Sequence, residues 1–290
     1  MPDPDVIVVG DIMLDVSVES AQLERGGDVH GEVTIRPGGG GSNAAVWAAH
    51  AGARVRLHGK VGADPAGRML AEGLDERGVD ADLARDGEVR TGSILVVHEG
   101  NKRSMVADRG ANARLRPEDL PDRLAAGAVL LSGYLLFHPG SERAARATLD
   151  RAAAGHVAVD AASWPLVRDF GPERFVEATS KATMLLANED EARALATGST
   201  EASVRSLSRS YRLVVVKRDA GGALLGSEGA VTPVPGRHVD PVDPTGAGDA
   251  FAGVLLARLA LGSELIEALE AATEAASVVV GSTAMWPEAR

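Results

Sequence analysis

The stretch Asp243-Pro244-Thr245-Gly246-Ala247-Gly248-Asp249-Ala250 places an aspartate after two small-residue steps and then enters an apolar run: Phe251, Val254, Leu255, Leu256, Leu259. That run has helical spacing, so residues 246–249 are expected at a helix entry. The first N–H groups of a helix lack internal partners, and with the positive end of the dipole they attract an anion. Small residues let a phosphate come close to them. Asp249 then has two readings. It caps the helix, or it takes a proton from a hydroxyl attacking a phosphoryl group held on those amides.

A second glycine stretch, Gly38-Gly39-Gly40-Gly41-Ser42-Asn43, precedes Ala44-Ala45-Val46-Trp47-Ala48-Ala49. Four glycines leave room for a ligand against the backbone, or simply make a flexible turn. Asn43 either caps the following helix or hydrogen-bonds a sugar hydroxyl. Neither stretch fits the dinucleotide fingerprint GxGxxG: Asn43 stands at the last glycine of one register, and Phe251 at that of the other. No GxxxxGK[ST] occurs, which argues against a P-loop.

These groups must be positioned by the elements around them, and strand and helix patterns alternate along most of the chain. Val6-Ile7-Val8-Val9 is a continuous apolar run ending at Gly10, as in a buried parallel strand. Strands are expected at 55–61, 129–132, 157–159, 184–186 and 213–217. A hairpin-like pair is expected around 226–229. Helices are expected over 43–51, 65–77, 141–154, 188–196, 248–261 and 264–280. This is the βα alternation of an open, mainly parallel sheet with helices on both faces. Residues 16–36 and 89–108 break it. They contain few helix formers and show polar alternation, with a turn at Glu99-Gly100-Asn101, so they read as a small inserted β-sheet. No linker, repeat or charge block divides the chain, which reads as one α/β domain over residues 1–290.

With 290 residues, 45% of them hydrophobic, the chain can bury a large core. A net charge of −11 argues against general nucleic-acid binding and against anionic membranes. A small phosphorylated ligand needs only a local site. Cysteine is absent, which excludes disulfides and thiolate chemistry. Met1 to Asp5 is acidic and reads as the approach to a strand, not a secretion signal. No apolar run approaches the roughly 20 residues of a membrane helix. The expectation is a cytoplasmic protein.

The chain resembles the ribokinase-like (PfkB) carbohydrate kinases over nearly its whole length. The glycine stretch leading into "GARVRLHGKVGADPAG" (52–67) is similar to one family signature, and "DPTGAGDAFAGVLLARL" (243–259) to the other. The resemblance implies a three-layer α/β sandwich with a mainly parallel central sheet and a β-sheet lid. It also implies transfer of the ATP γ-phosphoryl group to a hydroxyl of a sugar or nucleoside.

It assigns roles by position. Asp249 matches the catalytic base, and the amides of Gly246, Ala247 and Gly248 match the anion hole. Gly10 to Asp15 resembles the first-strand motif whose final aspartate holds substrate hydroxyls, so Asp15 is a substrate residue and Asp11 a neighbouring carboxylate. Gly39, Gly40, Gly41 and Asn43 fall in the sugar-binding turn. Many sugar kinases carry lysine where this chain has Gly40. Arg109-Gly110-Ala111-Asn112 resembles the lid hinge, which puts Asn112 at the substrate. Arg109 is either a hinge surface residue or a ligand for an acidic sugar such as 2-keto-3-deoxygluconate. Asn188 and Glu191 resemble the NxxE pair that acts on Mg²⁺ through water and phosphate. Lys217 and Gly222 resemble the strand end and turn that meet ATP, with Asp219 where glycine is usual. Asp243 and Thr245 match part of a K⁺ site whose remainder, around 277–284, matches poorly.

The expected activity is therefore an ATP- and Mg²⁺-dependent sugar kinase. The alternatives are a nucleoside kinase, for which 3% aromatic residues offer little pocket, and a catalytically silent sugar-binding regulator, which should have lost Asp249 or the GAG stretch. A sugar phosphate is less favoured, because the glycine turn brings no basic residue. The expected lid sheet suggests a homodimer.

Overall fold

The computed structural model describes residues 3–20, 26–99, 102–237, 239–282 and 285–288. Along the chain run β1 (Val6–Val9), β2 (Met13–Ser20), β3 (Glu32–Gly38), α1 (Gly40–His50), β4 (Val55–Gly62), α2 (Pro65–Asp75), β5 (Val79–Asp86), β6 (Gly92–Glu99) and β7 (Lys102–Asp108). Then come β8 (Leu124–Ser132), α3 (Glu142–Arg151), β9 (Ala152–Asp160), α4 (Trp164–Phe170), α5 (Pro172–Ala178), β10 (Met184–Asn188), α6 (Glu189–Leu195) and α7 (Thr200–Leu207). The last are β11 (Leu213–Lys217), β12 (Ala223–Ser227), β13 (Ala230–Val234), α8 (Ala247–Ala260) and α9 (Leu265–Val280).

Among the described residues, nine strands form one sheet in the order β13-β12-β11-β10-β9-β8-β1-β4-β5. Pairing is parallel from β5 to β11, and antiparallel where β12 and β13 extend that edge. Side chains alternate across the sheet and divide the core in two. Val6 and Val8 of β1 pack under α1, α2, α8 and α9. Ile7 and Val9 pack under α3 to α7. Helices on both faces of the sheet make a three-layer α/β sandwich, as the resemblance implies.

A second sheet has the order β3-β2-β6-β7. Its central pair, β2 and β6, is parallel, and its outer pairs are antiparallel. Its strands come from residues 13–38 and 92–108, which span the 16–36 segment and all but the first three residues of the 89–108 segment. Residues 21–25 and the turn positions 100 and 101 lie outside the described residues.

Two local expectations are corrected. The helix expected over 141–154 stops at Arg151, because Ala152, Ala153 and Ala154 pair with Leu124, Ala125 and Ala126 of β8. Alanine favours helix, but tertiary pairing overrides that weak preference. The first helix begins at Gly40, inside the glycine run and not after it. Gly39, at φ +98, is its N-cap, and a Cβ on Gly41 would lie 2.7 Å from the Cα of Gly10. Those glycines let α1 seat directly on the end of β1. Strand β5 and helices α4, α5 and α7 have no counterpart among the expected elements, although Val79-Asp80-Ala81-Asp82-Leu83 alternates as a strand does.

Candidate active site

The carboxyl ends of five parallel strands carry polar residues into one crevice. Asp11 follows β1, Ser132 ends β8, Asp160 ends β9, Asn188 ends β10 and Lys217 ends β11. The chain leaves β1 for β4 on one side and reaches β8 on the other. Such a reversal opens a cleft between the outgoing connections. The N-termini of α1, α6 and α8 border the same edge.

At the entry of α8, Gly246 takes φ +83, which glycine alone adopts at little cost. Ala250 N–H closes the first helical bond, to Gly246 O at 2.9 Å. The amides of Gly248 and Asp249 precede it. The Ala247 amide donates to Pro244 O at 3.2 Å, so a turn engages this member of the expected anion hole. A Cβ on Gly248 would lie 3.1 Å from Lys217 Nζ, which places that ammonium beside the helix entry.

Asp249 is partly buried, and its Oδ2 accepts a 2.8 Å bond from Asn43 Nδ2. Loss of water raises its pKa to about 7. The Asn43 bond and Lys217 oppose that rise, and Asp160 and Asp11 add to it. Asn43 Oδ1 in turn accepts from Trp286 Nε1 at 2.7 Å. An indole N–H can only donate, so it fixes which end of the amide meets Asp249. Asn43 therefore acts first on Asp249. A Cβ on Gly40 would lie 3.3 Å from Asp249 Oδ1 and 3.6 Å from Asp11 Oδ1, so Gly40 leaves the space between the two carboxylates open.

Asp11 is buried. Its Oδ1 accepts from Ser132 Oγ at 2.9 Å, and its Oδ2 accepts from Gly40 N and Arg109 Nη1, both at 3.2 Å. Arg109 also stacks on Tyr134, its guanidinium carbon 3.8 Å from the ring centre. Arg109 thus reaches into the site, and the hinge-surface reading is set aside. Asn112, expected at the substrate, is spent on backbone. Its Oδ1 accepts from Ile12 N at 2.9 Å, and its Nδ2 donates to Ile12 O at 2.8 Å and Arg109 O at 3.1 Å. It clamps the chain between β1 and β2. Asp15 lies against Gly38, and its Oδ1 is buried with no hydrogen-bond partner. Burial, and then the nearby Asp11 charge, raise its pKa to about 7.

Asn188 and Glu191 form a reciprocal cap at the start of α6. Glu191 N donates to Asn188 Oδ1 at 2.8 Å, Asn188 N to Glu191 Oε2 at 2.8 Å, and Asn188 Nδ2 to Glu191 Oε1 at 2.9 Å. Burial, with Asp160 nearby, holds the Glu191 carboxyl well above the usual range. Lys217 Nζ donates to Asp160 Oδ2 at 2.8 Å. Burial works against its charge, but the surrounding carboxylates prevail and its pKa is raised.

Gly222, at φ +78, has no room for a Cβ beside the Val234 carbonyl, so its type follows from the turn. Asp219 is exposed and takes φ +37, a conformation that explains why glycine is usual there. Asp243 Oδ1 accepts from Thr245 N at 2.9 Å. Residues 283 and 284 of the K⁺-site expectation lie outside the described residues. Among the described residues, no three His, Asp or Glu side chains cluster as metal ligands, and no helix is long and apolar enough to cross a membrane.

Sequence reasoning missed Ser132, Tyr134, Asp160 and Trp286. An acidic residue directly after the apolar run Val157-Ala158-Val159 was the available signal for Asp160. Nothing local marked Trp286, whose partner is 243 residues away.

The family model for pfkB family carbohydrate kinases matches residues 3–285. The chain is 32% identical over 270 residues to a ribokinase of Mus musculus, covering 88% of this chain and 81% of that protein. It is 30% identical over 283 residues to an ATP-dependent ribose-1-phosphate kinase of Halopiger xanaduensis, covering 95% and 92%. A solved adenosine kinase from Sinorhizobium meliloti superposes with a TM-score of 0.89 at 24% identity, over 99% of this chain and 96% of that one. The chain belongs to the pfkB family of carbohydrate kinases. It is a phosphotransferase with an alcohol group as acceptor.

Proposed function

We propose that this protein transfers the γ-phosphoryl group of ATP to a hydroxyl of a small carbohydrate. The observation that carries this reading is Asp249, a carboxyl group with a pKa near 7 held by Asn43 at the first turn of α8. A general base works best with a pKa near the working pH.

In the proposed step the acceptor hydroxyl gives its proton to Asp249, and its oxygen bonds to the γ-phosphorus. The bond from that phosphorus to the bridging oxygen breaks, and ADP leaves with the electron pair. The amides of Gly246, Ala247 and Gly248 hold the transferring group, Ala247 giving up its Pro244 turn bond to do so. Lys217 adds a positive charge there, and the turn at Gly222 borders the nucleotide. Asp15, with its unpartnered Oδ1, and the backbone of Gly39, Gly40 and Gly41 take the sugar hydroxyls, and Asn43 keeps one N–H for them. Mg²⁺, when bound, neutralises charge on the β- and γ-phosphates. Both Glu191 oxygens already accept from Asn188, which fits a contact to the ion's waters better than direct ligation. Asp243 and Thr245 offer oxygen atoms to K⁺.

The second sheet is proposed as the lid over the sugar, excluding water as a competing acceptor. Ile35, Val16, Leu95 and Val106 stand opposite one another across its four strands, on the face away from Asp15. Ile35 is 58% exposed and Val106 69%. That apolar face supports a homodimer through the lid. We place the protein in the cytoplasm, where ATP is available.

Arg109 favours a second reading of the acceptor. A guanidinium beside Asp11 suits a substrate carrying a carboxylate or phosphate, and one relative is named for a phosphorylated ribose. The test is ADP formation from MgATP across aldoses, ketoses, keto-deoxy acids, sugar phosphates and nucleosides. Turnover with a neutral sugar supports the first reading. Turnover confined to anionic sugars supports the second. Turnover confined to nucleosides, or none at all, overturns both.

A further inference from the structure

We propose that Trp286 is a positioning residue for the phosphotransfer base: its indole N–H fixes the amide of Asn43, and Asn43 holds the carboxylate of Asp249. The inference rests on the reading of Asp249 given above.

Three long-range contacts build the link. Trp286 lies beyond α9, in the segment that returns across α1 and α2, and its side chain is buried. The segment is pinned by Trp47 of α1, whose Nε1 donates to Met285 O at 2.9 Å. The Trp286 ring is covered by Arg77, its guanidinium carbon 4.8 Å from the ring centre, and a Cβ on Gly73 of α2 would come within 3.5 Å of it. So held, the indole donates to Asn43 Oδ1 at 2.7 Å, and Asn43 Nδ2 donates to Asp249 Oδ2 at 2.8 Å.

The donor matters more than the bulk. Asn43 is buried, and a buried amide oxygen without a donor turns toward another partner or toward water. Turning costs Asp249 its hydrogen bond, the one contact that both aims the carboxylate and favours its charged form. The other groups acting on Asp249 sit on different elements: Asp11 after β1, Tyr134 after β8, Asp160 on β9 and Lys217 on β11. Among the described residues no hydrogen bond or ring contact joins any of them to Trp286, so a change in Asp249 titration on altering Trp286 reports the Asn43 bond.

Trp286→Phe keeps an aromatic ring under Arg77 and removes the N–H together with the smaller ring of the indole, so the packing loss is read separately as Tm. Two readouts are needed. One is the titration of the Asp249 carboxyl by carbon-13 NMR in the free protein, assigned by its absence in Asp249→Asn. The other is kcat, KM and the pH profile with MgATP and the acceptor found by the panel. The expected result is a titration displaced to higher pH and kcat at neutral pH lowered roughly 10- to 100-fold, the usual worth of a hydrogen bond to a charged group, with KM raised as the turned amide withdraws its N–H from the sugar. A packing role alone would lower Tm and leave the titration in place. If Trp286→Phe does not fold, Trp47→Phe releases the anchor at Met285 and is read the same way. A folded variant with wild-type Asp249 titration and a wild-type pH profile overturns the proposal. A displaced titration in a protein that phosphorylates nothing in the panel supports the positioning and overturns the kinase reading instead.

Discussion

Asp249 holds its proton up to about pH 7 because the site strips water from the carboxyl group, while Asn43 and Lys217 only partly restore the charged form. If it is the base, the acid limb of kcat/KM falls near pH 7, not near the usual aspartate value of about 4. A kcat/KM flat from pH 5 to 8 would exclude that assignment. Asp249→Asn keeps the Asn43 contact, since its amide oxygen still accepts. Turnover should then fall by roughly 10²- to 10⁴-fold with substrate affinity held. The sign for stability also follows. The folded pKa is raised, so between about pH 4 and pH 7 the folded state keeps a proton that the unfolded chain has lost. The contribution of Asp249 to stability is therefore largest below that window and declines as pH rises through it. Asp249→Asn removes this penalty, so its Tm at pH 8 should match or exceed that of the wild type. Near-normal kcat in the folded variant would reduce Asp249 to a structural partner of Asn43, since the N-cap of α8 is Gly246 and Asp249 makes no cap bond.

Two elements are held by side chains that the sequence placed at ligands. Asn112 ties the 110–114 turn to Ile12 through two backbone bonds and holds Arg109 O with a third. Asn112→Ala leaves buried backbone groups unpaired and should cost about 2–4 kcal/mol, seen as a lower denaturation midpoint. A stable variant with only a raised KM would return Asn112 to the substrate. Glu191 is legible in sequence as the fourth residue of NxxE, but cap and metal contact share that spacing, and the fold realises the cap. Glu191→Gln keeps one acceptor for Asn188 N and turns an amide donor toward Asn188 Nδ2. It should raise the Mg²⁺ concentration needed for half-maximal rate while the protein stays folded. An unchanged Mg²⁺ titration would remove Glu191 from the metal.

At the scale of the whole molecule, the crevice lies between the end of the nine-stranded sheet and the four-stranded one, because β2 continues directly from the strand that carries Asp11. Closure of the second sheet over a sugar should slow amide exchange in residues 13–20, 32–38, 92–99 and 102–108 when acceptor binds. Protection confined to α8 and α9 would deny the sheet a lid role. Its outer apolar face should make the protein sediment as a dimer. Ile35→Glu and Val106→Glu together should give monomers with the fold intact, and a wild-type monomer would refute the dimer.

The sequence by itself determined the layered α/β order, the second sheet's segments and the helix entry at 246–249. Each is written in short-range pattern: apolar runs with turns between them, polar alternation, glycines before a helical stripe. It also brought Asp249, Asp15 and Lys217 forward as candidates, through motifs only a few residues long. It could not decide what each side chain touches. Asn43 meets Asp249 across 206 positions and Trp286 across 243, Lys217 meets Asp160 across 57, and Arg109 meets Asp11 across 98. Those partners are set by which strand ends lie side by side once the sheet is ordered. For the same reason only the tertiary structure separates Asn112, spent on backbone, from Asp15, buried with an oxygen left unpaired. Asp15 stands between Leu14 and Val16 and Asn112 two residues after Gly110, and the difference lies in whether another segment supplies a partner.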